Sequence, residues 1–225
     1  MRPKHIAIIP DGNRRWAKKN KVPIPVAYDK GIDNIANVLK WCRKYKVRQL
    51  TMWGFSIENF MRDRREVKNL FGLFDKKLSE GLKRDYKKYG VRVRFLGKIS
   101  NFPQQVREKM RKAEKDTESY GKYQLNLMLA YGGRQEIIDA VNRALSSGVR
   151  KVDEKSFSNL LYTAGCPEPD LVIRTSGEVR TSGFLPWQSA YSEFHFSKKL
   201  WPDFSEKDFK KALDDYSRRK RKYGK

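Results

Sequence analysis

The sequence has no hydrophobic run long enough to cross a membrane. Its apolar stretches, such as 6–9 and 127–130, are the size of one strand, whereas a spanning helix needs about 20 residues. Cysteine is scarce, since Cys42 and Cys166 form no metal-binding spacing and are too few for a disulfide framework. The chain starts directly before a strand-like segment, without a cleavable signal. We therefore expect a soluble protein of the reducing cytoplasm.

Acidic residues are few compared with basic ones. The chain has 26 Asp and Glu against 50 Lys and Arg, for a net charge of +24. Such an excess attracts anions: nucleic acid, acidic lipid or phosphorylated metabolites. A nucleic-acid-binding module is one alternative, but no helix-turn-helix, zinc or RNA-recognition signature supports it, so we expect no nucleic-acid partner. The compact basic run at 218–222 either makes a peripheral contact with anionic lipid or is an ordinary solvated terminus.

Strand-like and helix-like segments alternate along the chain. Strands are predicted at 6–9, 50–55, 91–96, 125–130 and 171–173, with a weaker one near 194–196. Helices are predicted near 32–46, 65–88, 103–119, 134–147 and 206–222. This alternation predicts an α/β fold with right-handed crossovers and a mostly parallel sheet flanked by helices. No repeat, linker or shift in composition divides the chain, so we expect 1–225 to be a single domain.

Polar clusters follow four of the predicted strands, at 11–16, 55–62, 131–134 and 174–178. Each cluster alone is weak evidence, because glycine-containing turns between strand and helix are common. The carboxyl ends of parallel strands share one edge of the sheet, and ligands bind beyond that edge. Four clusters at one edge therefore predict a binding site there.

The cluster after the first strand has the composition of a phosphate site that includes a metal ion. Gly12 lets the backbone approach a ligand, and the start of the following helix offers free N–H groups to an anion. Arg14 and Arg15 can each bind two phosphate oxygens. Asp11 is anionic, and Mg²⁺ bridging its carboxylate to phosphate oxygens would resolve the conflict. A simple helix cap at Asp11 is the alternative, but it leaves the two arginines unexplained.

The cluster after the fifth strand supplies donors for a second phosphate group, namely Arg174, Thr175, Ser176, Arg180 and Ser182. Two anion sites and one carboxylate for a metal indicate that two phosphorylated substrates meet here. Trp16, Phe55, Phe60 and the apolar face at 67–82 would suit apolar substrate tails, although most of that helix face is equally well explained as core.

Several stretches resemble the cis-prenyltransferases, the undecaprenyl diphosphate synthase family. They are HIAIIPDGNRRWAKK, GFSIENFMRDRREV, LNLMLAYGGRQEI and DLVIRTSGEVRTSGFLPWQSAYSEFHF, followed by LWPDF. The resemblance covers nearly the whole chain in the same order. No Asp-Asp-x-x-Asp motif is present, so the chain does not resemble the trans-prenyltransferases. The resemblance implies a homodimer with a hydrophobic tunnel that condenses isopentenyl diphosphate with an allylic prenyl diphosphate, using Mg²⁺.

The resemblance also implies roles for individual residues. Asp11 and Asn59 are the expected catalytic residues: Asp11 binds Mg²⁺ with the allylic diphosphate, and Asn59 helps to remove a proton from isopentenyl diphosphate. Glu193 is expected to contribute to the metal site across the dimer. The expected substrate-binding residues are Gly12, Asn13, Arg14, Arg15, Trp16, Ser56, Glu58, Phe60, Arg62, Arg174, Arg180, Thr181 and Ser182.

The chain departs from the family pattern at several positions. Ile24 and Tyr28 stand where the family usually has Arg and His, and Phe60 replaces a usual Trp. Further departures are Val179, Gly183 and Pro186. The Arg/His pair is also lost in relatives that join two allylic diphosphates in a non-head-to-tail fashion.

Those non-head-to-tail relatives also tend to lose the counterpart of Glu58 or Asn59, and this chain keeps both residues. We therefore expect head-to-tail elongation. Lavandulyl-type condensation with dimethylallyl diphosphate as acceptor stays the alternative. A catalytically silent subunit of a heteromeric synthase is a third hypothesis. The residues that argue against it are the retained Asp11, Asn59, Arg174, Arg180 and Glu193.

Overall fold

The computed structural model describes residues 2–80, 86 and 88–219. The strands within these residues are β1 (His5–Ile9), β2 (Gln49–Ser56), β3 (Val91–Leu96), β4 (Tyr123–Tyr131), β5 (Leu171–Arg174) and β6 (Glu193–Phe196). They form one sheet in the order β3-β4-β2-β1-β5-β6, and every neighbouring pair is parallel. The predicted parallel sheet is confirmed, including its weak sixth strand.

The helices are α1 (Asn13–Asn20), α2 (Ile24–Lys44), α3 (Arg64–Glu80), α4 (Gln104–Thr117), α5 (Gly133–Ser146), α6 (Glu154–Ser158) and α7 (Glu206–Arg218). Short 3-10 helices span Ile57–Met61, Ile99–Asn101 and Trp201–Asp203. Within the described part of the chain, no helix combines the length and the apolar composition that crossing a bilayer requires.

Three helix predictions need correction or lie partly outside the described residues. α2 begins at Ile24 instead of 32, because a proline in its first turn is compatible with a helix start. α1 is the helix expected after Gly12, for which no bounds were predicted, and the short α6 was not predicted. The helix predicted over 206–222 ends at Arg218, and Arg219 is extended; 220–222 lie outside the described residues, as do 81–85 and 87 of the helix predicted over 65–88.

Both faces of the sheet are buried, which explains why its strands are almost continuously apolar. Successive strand residues point to opposite faces. Ile6 and Ile8 therefore join a core cluster with α2, α3, α4 and α7. Ala7 and Ile9 join a second cluster, on the other face, with Phe184.

Gly12 makes the turn that carries the chain from β1 into α1. Its φ of 109° lies in a region that side chains rarely adopt. A Cβ on Gly12 would lie 2.9 Å from Leu200 Cδ2 and 3.1 Å from Ser176 Cβ. Only glycine therefore fits, and the turn brings Asp11 and α1 beside the carboxyl end of β5.

Candidate active site

A cavity of about 310 Å³ opens at the carboxyl edge of the sheet. Its polar lining comes from the ends of β1, β2 and β5 and from the segments that follow them: Asp11, Asn13, Ser56, Asn59, Arg62, Arg174 and Ser182. Its apolar lining comes from the sheet and the helices on one face, and includes Ile35, Phe55, Leu70, Phe74, Leu78 and Leu129. One space therefore joins a polar rim to an apolar interior.

Asp11 is held at the rim by two arginines. Its Oδ2 accepts a hydrogen bond from Arg174 Nη2 at 2.8 Å, and Arg15 Nη2 lies 3.4 Å from its Oδ1. Burial alone would raise the pKa of the Asp11 carboxyl, but the hydrogen bond and charge of Arg174 outweigh burial, so this pKa lies below its usual value. Asp11 is therefore a carboxylate at any pH near neutrality.

Arg174 is a buried cation with part of its donor capacity unused. Its side chain is only 6% exposed, and its Nη1 donates to Ser182 Oγ at 2.8 Å and to the Arg180 carbonyl at 2.7 Å. Its Nε is buried and has no partner among the described residues. A buried polar atom without a partner beside a cavity is typical of a binding site for a polar ligand.

The loop after β5 holds these donors in strained backbone. Ser176 and Ser182 have φ of 79° and 53°, which is uncommon outside glycine. The Arg180 side chain is exposed and pairs with Glu178 Oε2 at 2.5 Å. Thr181 is half-buried, and its carbonyl accepts from the Phe184 N–H at 3.0 Å. The structure thus brings Arg174 and Ser182 to the cavity, whereas Arg180 and Thr181 do not line it.

The α1 residues have different positions relative to the cavity. Asn13 lines it, and Asn13 Oδ1 is buried without a partner among the described residues. Arg15 reaches across to β5's loop, where Nη1 lies 3.0 Å from Glu178 Oε1. Arg14 is exposed. Trp16 is buried in a small cluster away from the cavity, with Lys30 Nζ 4.4 Å from its ring centre.

The segment after β2 places Asn59 and Arg62 at the cavity. Asn59 Oδ1 accepts from the Ser56 backbone N–H at 3.0 Å, which fixes the start of the 3-10 helix. Glu58 is exposed and does not line the cavity. Phe60 packs edge-on against Phe55, with ring centres 4.9 Å apart, and so supports the cavity wall. Ser56, Asn59 and Arg62 are thus the polar residues that this predicted cluster contributes to the cavity.

Two predicted groups lie elsewhere within this chain. The 131–134 cluster does not line the cavity; the Tyr131 hydroxyl donates to Glu136 Oε2 at 2.6 Å in the buried interior. Glu193 begins β6 opposite Leu171, at the amino end of both strands, and its Oε2 pairs with Arg219 Nη1 at 2.5 Å. The length of β6, about 10 Å, therefore separates Glu193 from the sheet edge that carries the Asp11 cluster.

Sequence reasoning missed the contribution of α2 to the cavity. Tyr28, Gly31, Ile32 and Ile35 all line it, with the i, i+3, i+4, i+7 spacing of one helix face. If the helix had been predicted to begin near Pro23 and Pro25, this face would have been recognised. Lys77 also lines the cavity from α3, and its ammonium pairs with Asp29 at 3.0 Å and with Asp33 across the α2–α3 gap.

Comparison with known proteins decides the family. Residues 9–224 match the family described as "Putative undecaprenyl diphosphate synthase". The chain belongs to this family of cis-prenyltransferases. One relative, the geranylgeranyl-diphosphate-specific tritrans,polycis-undecaprenyl-diphosphate synthase of Thermoplasma volcanium, is 42% identical over 99% of this chain and 89% of its own. The isoprenyl transferase of Thermotoga maritima is also 42% identical, over 99% of this chain and 97% of its own.

Solved structures of cis-prenyltransferases share the fold. Lavandulyl diphosphate synthase from Lavandula x intermedia, in complex with dimethylallyl diphosphate, matches with a TM-score of 0.94 and 32% identity over 99% of this chain and 98% of its own. A probable undecaprenyl diphosphate synthase from Campylobacter jejuni matches with a TM-score of 0.84 and 29% identity over the full length of both chains. The chain is therefore an enzyme of the prenyltransferase class, in a family that acts on isoprenyl diphosphates.

The residues of this cis-prenyltransferase fit a magnesium ion only if a substrate completes the site. The Asp11 carboxylate and the unpartnered Asn13 Oδ1 are the oxygen atoms at this rim that could ligate the ion. Among the described residues, no three His, Cys, Asp or Glu side chains are grouped so that they could hold a metal by themselves. Mg²⁺ commonly binds through one or two carboxylates plus substrate phosphate, which matches this sparse set of ligands.

Proposed function

We propose that this enzyme condenses isopentenyl diphosphate with an allylic prenyl diphosphate, head-to-tail and with Mg²⁺, to form a (Z)-prenyl diphosphate. The observation that carries the proposal is one continuous cavity that has Asp11, Asn13 and Arg174 at its rim and an apolar interior. Diphosphate headgroups suit the rim, and hydrocarbon tails suit the interior. The growing chain would then extend through the cavity as through a tunnel.

The proposed chemistry is an electrophilic substitution. The C–O bond of the allylic diphosphate breaks, the double bond of isopentenyl diphosphate attacks the allylic carbon, and a proton leaves to give the new cis double bond. Asp11 and Asn13 would hold Mg²⁺, which would supply charge neutralisation for the leaving diphosphate.

The residues of this chain do the remaining work. Arg174, which lines the rim and has donor capacity left, binds a diphosphate and orients it, which is electrostatic stabilisation combined with positioning. Arg15 and Ser182 add donors at the same rim. Asn59, fixed by the Ser56 N–H, is the proposed residue that assists removal of the proton.

A second candidate function is non-head-to-tail condensation with dimethylallyl diphosphate as acceptor. Tyr28 lines the cavity where the family usually has His, and it is bonded to Arg62 and Glu66. Ile24 cannot replace the diphosphate contact of an arginine. The likeness to a lavandulyl diphosphate synthase with bound dimethylallyl diphosphate supports this candidate. The retained Asn59 at the cavity supports the head-to-tail reaction.

The assembly and the membrane contact are also proposals. α5 exposes Ile138, Val141 and Leu145 at 53%, 43% and 69%, an apolar stripe that a second copy of the chain would cover in a homodimer. Glu193 would then serve the metal site of the partner. A cytoplasmic enzyme whose basic terminus touches anionic lipid is consistent with the high positive charge.

The test is turnover by the purified full chain. We expect labelled isopentenyl diphosphate to enter a butanol-soluble product with at least one primer among dimethylallyl, geranyl, farnesyl and geranylgeranyl diphosphates, and chelation of Mg²⁺ to stop it. A reaction with dimethylallyl diphosphate alone tests the second candidate, because a branched product is separable from a linear one by mass and fragmentation. No product under any of these conditions would contradict both candidates.

A further inference from the structure

Three side chains form a closed hydrogen-bonded group on the wall of the cavity. The Tyr28 hydroxyl donates to Glu66 Oε1 at 2.9 Å and accepts from Arg62 Nη1 at 2.6 Å. Arg62 Nη1 also donates to Glu66 Oε1 at 3.1 Å. Tyr28 comes from α2, Glu66 from α3, and Arg62 from the segment between the 3-10 helix and α3. The group therefore ties Arg62 to two helices at once.

Arg62 is held through one nitrogen only. Its Nε and Nη2 make no hydrogen bond with the described residues, and the side chain lines the cavity three residues after Asn59. Nε and Nη2 are the pair of donors that binds two oxygens of a phosphate side by side. The contacts therefore fix the Arg62 guanidinium and leave free the donors that an anion needs.

The Arg62 group is sheltered, which makes its hydrogen bonds stronger than they would be in water. The Glu66 side chain is 14% exposed and that of Arg62 is 29% exposed. Burial raises the pKa of the Tyr28 phenol to about 12, so the hydroxyl keeps its proton and can donate to Glu66 at any working pH. A smaller outer pocket, lined by Ile24, Pro25, Tyr28, Glu66 and Asn69, lies on the far side of this group.

We propose that Tyr28 and Glu66 are positioning residues that hold Arg62 ready for a substrate diphosphate. This inference rests on the proposed function, because it assigns the ligand of Arg62 from that reaction. A flexible arginine loses side-chain conformational entropy when it binds an anion. The contacts of Arg62 with Tyr28 and Glu66 restrict its side chain before the substrate binds, so less entropy is lost on binding. Tyr28 thus gives the cavity a fixed cation through a neighbour, at a position where the family usually places a basic side chain.

The chain contains a matched control at the other end of α2. The Tyr45 hydroxyl donates to Glu206 Oε1 at 2.8 Å, and Lys44 Nζ pairs with the same oxygen at 2.6 Å. This second group has the same tyrosine, glutamate and cation chemistry, but it does not line the cavity. Tyr28→Phe and Tyr45→Phe therefore each remove a tyrosine hydroxyl that donates to a glutamate, one in a sheltered group on the cavity wall and one in a more exposed group remote from the cavity.

The experiment measures both turnover and the binding of inorganic pyrophosphate by the full chain. We expect Tyr28→Phe and Glu66→Gln to raise the KM for isopentenyl diphosphate and the Kd for pyrophosphate by about tenfold each. The kcat should stay within about twofold, because Arg62 is still present. Tyr45→Phe should leave both constants unchanged, and all three variants should melt within a few degrees of the parent chain.

A double-mutant cycle distinguishes positioning from a direct or a purely structural role. If Tyr28 acts through Arg62, Tyr28→Phe has no further effect on pyrophosphate binding in an Arg62→Ala background. Additive losses, or a Tyr28→Phe variant that behaves like Tyr45→Phe, would overturn the inference, as would a parent chain that does not bind pyrophosphate. If the parent binds pyrophosphate through Arg62 but makes no prenyl product, the inference stands and the proposed function fails.

Discussion

The two edges of the central sheet both carry polar side chains, but the two groups differ in what they leave unsatisfied. At the amino edge, the His5 ring lies 2.8 Å from both the Pro167 carbonyl and Thr51 Oγ1, and Asn126 Nδ2 donates to Thr51 Oγ1 at 2.9 Å. At the carboxyl edge, Asn13 Oδ1 and Arg174 Nε are buried without a partner in the described part of the chain. The His5 network at the amino edge is internally complete, although Gln49 Nε2 at the same edge is also buried without a partner among the described residues. The unpartnered atoms at the carboxyl edge differ in that they belong to residues that line a cavity.

The difference shows how a buried polar group can be assigned to stability or to binding. A neutral His5 ring donates from Nδ1 to the Pro167 carbonyl and accepts at Nε2 from the Thr51 hydroxyl, so each atom of this chain of bonds has a role. Such a network specifies one packing of the sheet. The unpartnered atoms beside Asp11 instead border a cavity, where a ligand can satisfy them.

The largest effect is expected on turnover, when the Asp11 carboxylate at the carboxyl edge is replaced by a neutral side chain. We predict that Asp11→Asn lowers kcat at least about a hundredfold, because the leaving diphosphate loses its metal ligand. The amide oxygen can still accept from Arg174, so the fold should persist, as circular dichroism and a thermal melt would show. Asp11→Ala should be equally inactive. Near-normal turnover in either variant would exclude Asp11 from the chemistry.

Asp170 provides the matched carboxylate at the amino edge. Its Oδ2 accepts from the backbone N–H groups of Lys4 and His5, at 2.7 and 3.0 Å. Asp170→Asn should lower the melting temperature but leave kcat per folded molecule unchanged. An activity loss in Asp170→Asn as large as that in Asp11→Asn would remove the distinction between the two edges.

The amino edge should make stability depend on pH. Burial lowers the pKa of His5 to about 4, from 6.5 in an unfolded chain. Between these two pKa values, His5 is protonated in the unfolded state and neutral in the native state. Its contribution to the free energy of unfolding is therefore complete above pH 6.5 and is lost as the pH falls towards 4. We predict a loss of about 3 kcal/mol over that window.

The contribution of His5 is measured against a variant that cannot titrate. Urea unfolding at pH 7.5 and pH 4.5 should show a smaller pH-dependent loss for His5→Gln than for the parent chain. Carboxylates also titrate at low pH, and the difference between the two proteins cancels their share. Equal pH dependence in both would mean that His5 is protonated in the folded state.

A smaller loss is expected when one hydroxyl leaves the amino-edge network. Thr51→Val keeps the shape of the side chain but removes the partner of both His5 and Asn126. We predict a cost of about 1–3 kcal/mol in the free energy of unfolding, the usual penalty for leaving buried polar atoms unpaired. The kcat and KM of the folded variant should match the parent, since Thr51 does not line the cavity.

The sequence analysis predicted which residues at strand ends reach the cavity better than it predicted which helix residues do. Asp11 and Arg174 directly follow or end buried strands, so strand topology alone brings them together. Tyr28 and Lys77 reach the cavity from helix faces, and their placement depends on how α2 and α3 pack. Local patterns do not encode that packing, because the same apolar spacing fits a helix buried on the sheet and a helix bordering a cavity.

Side-chain direction was the second limit of sequence reasoning. Arg180 and Trp16 were predicted to bind substrate, but neither lines the cavity: Arg180 pairs with Glu178, and Trp16 is buried against Ala27 of α2. Both directions follow from the backbone of loops and short helices that no periodicity describes. The His5–Thr51–Asn126 network was also missed, because its members are far apart in sequence and each alone is an ordinary strand residue.

Glu193 offers the finest test of the two edges, because the family resemblance assigns it to the site while this chain places it at the amino end of β6. If a partner subunit supplies Glu193, then Asp11→Asn and Glu193→Gln, each inactive alone, should complement each other in mixed dimers. Half of randomly mixed dimers would be heterodimers with one intact site, which gives about a quarter of the parent activity.

The control for complementation uses two residues of one rim. Asp11 and Arg174 are paired within a single chain at 2.8 Å, so mixing Asp11→Asn with Arg174→Gln leaves every site damaged and should recover nothing. Recovery confined to the Glu193 mixture would establish a shared site. Full activity of Glu193→Gln alone would instead leave Glu193 with the role seen in this chain, which is to hold Arg219 against the start of β6.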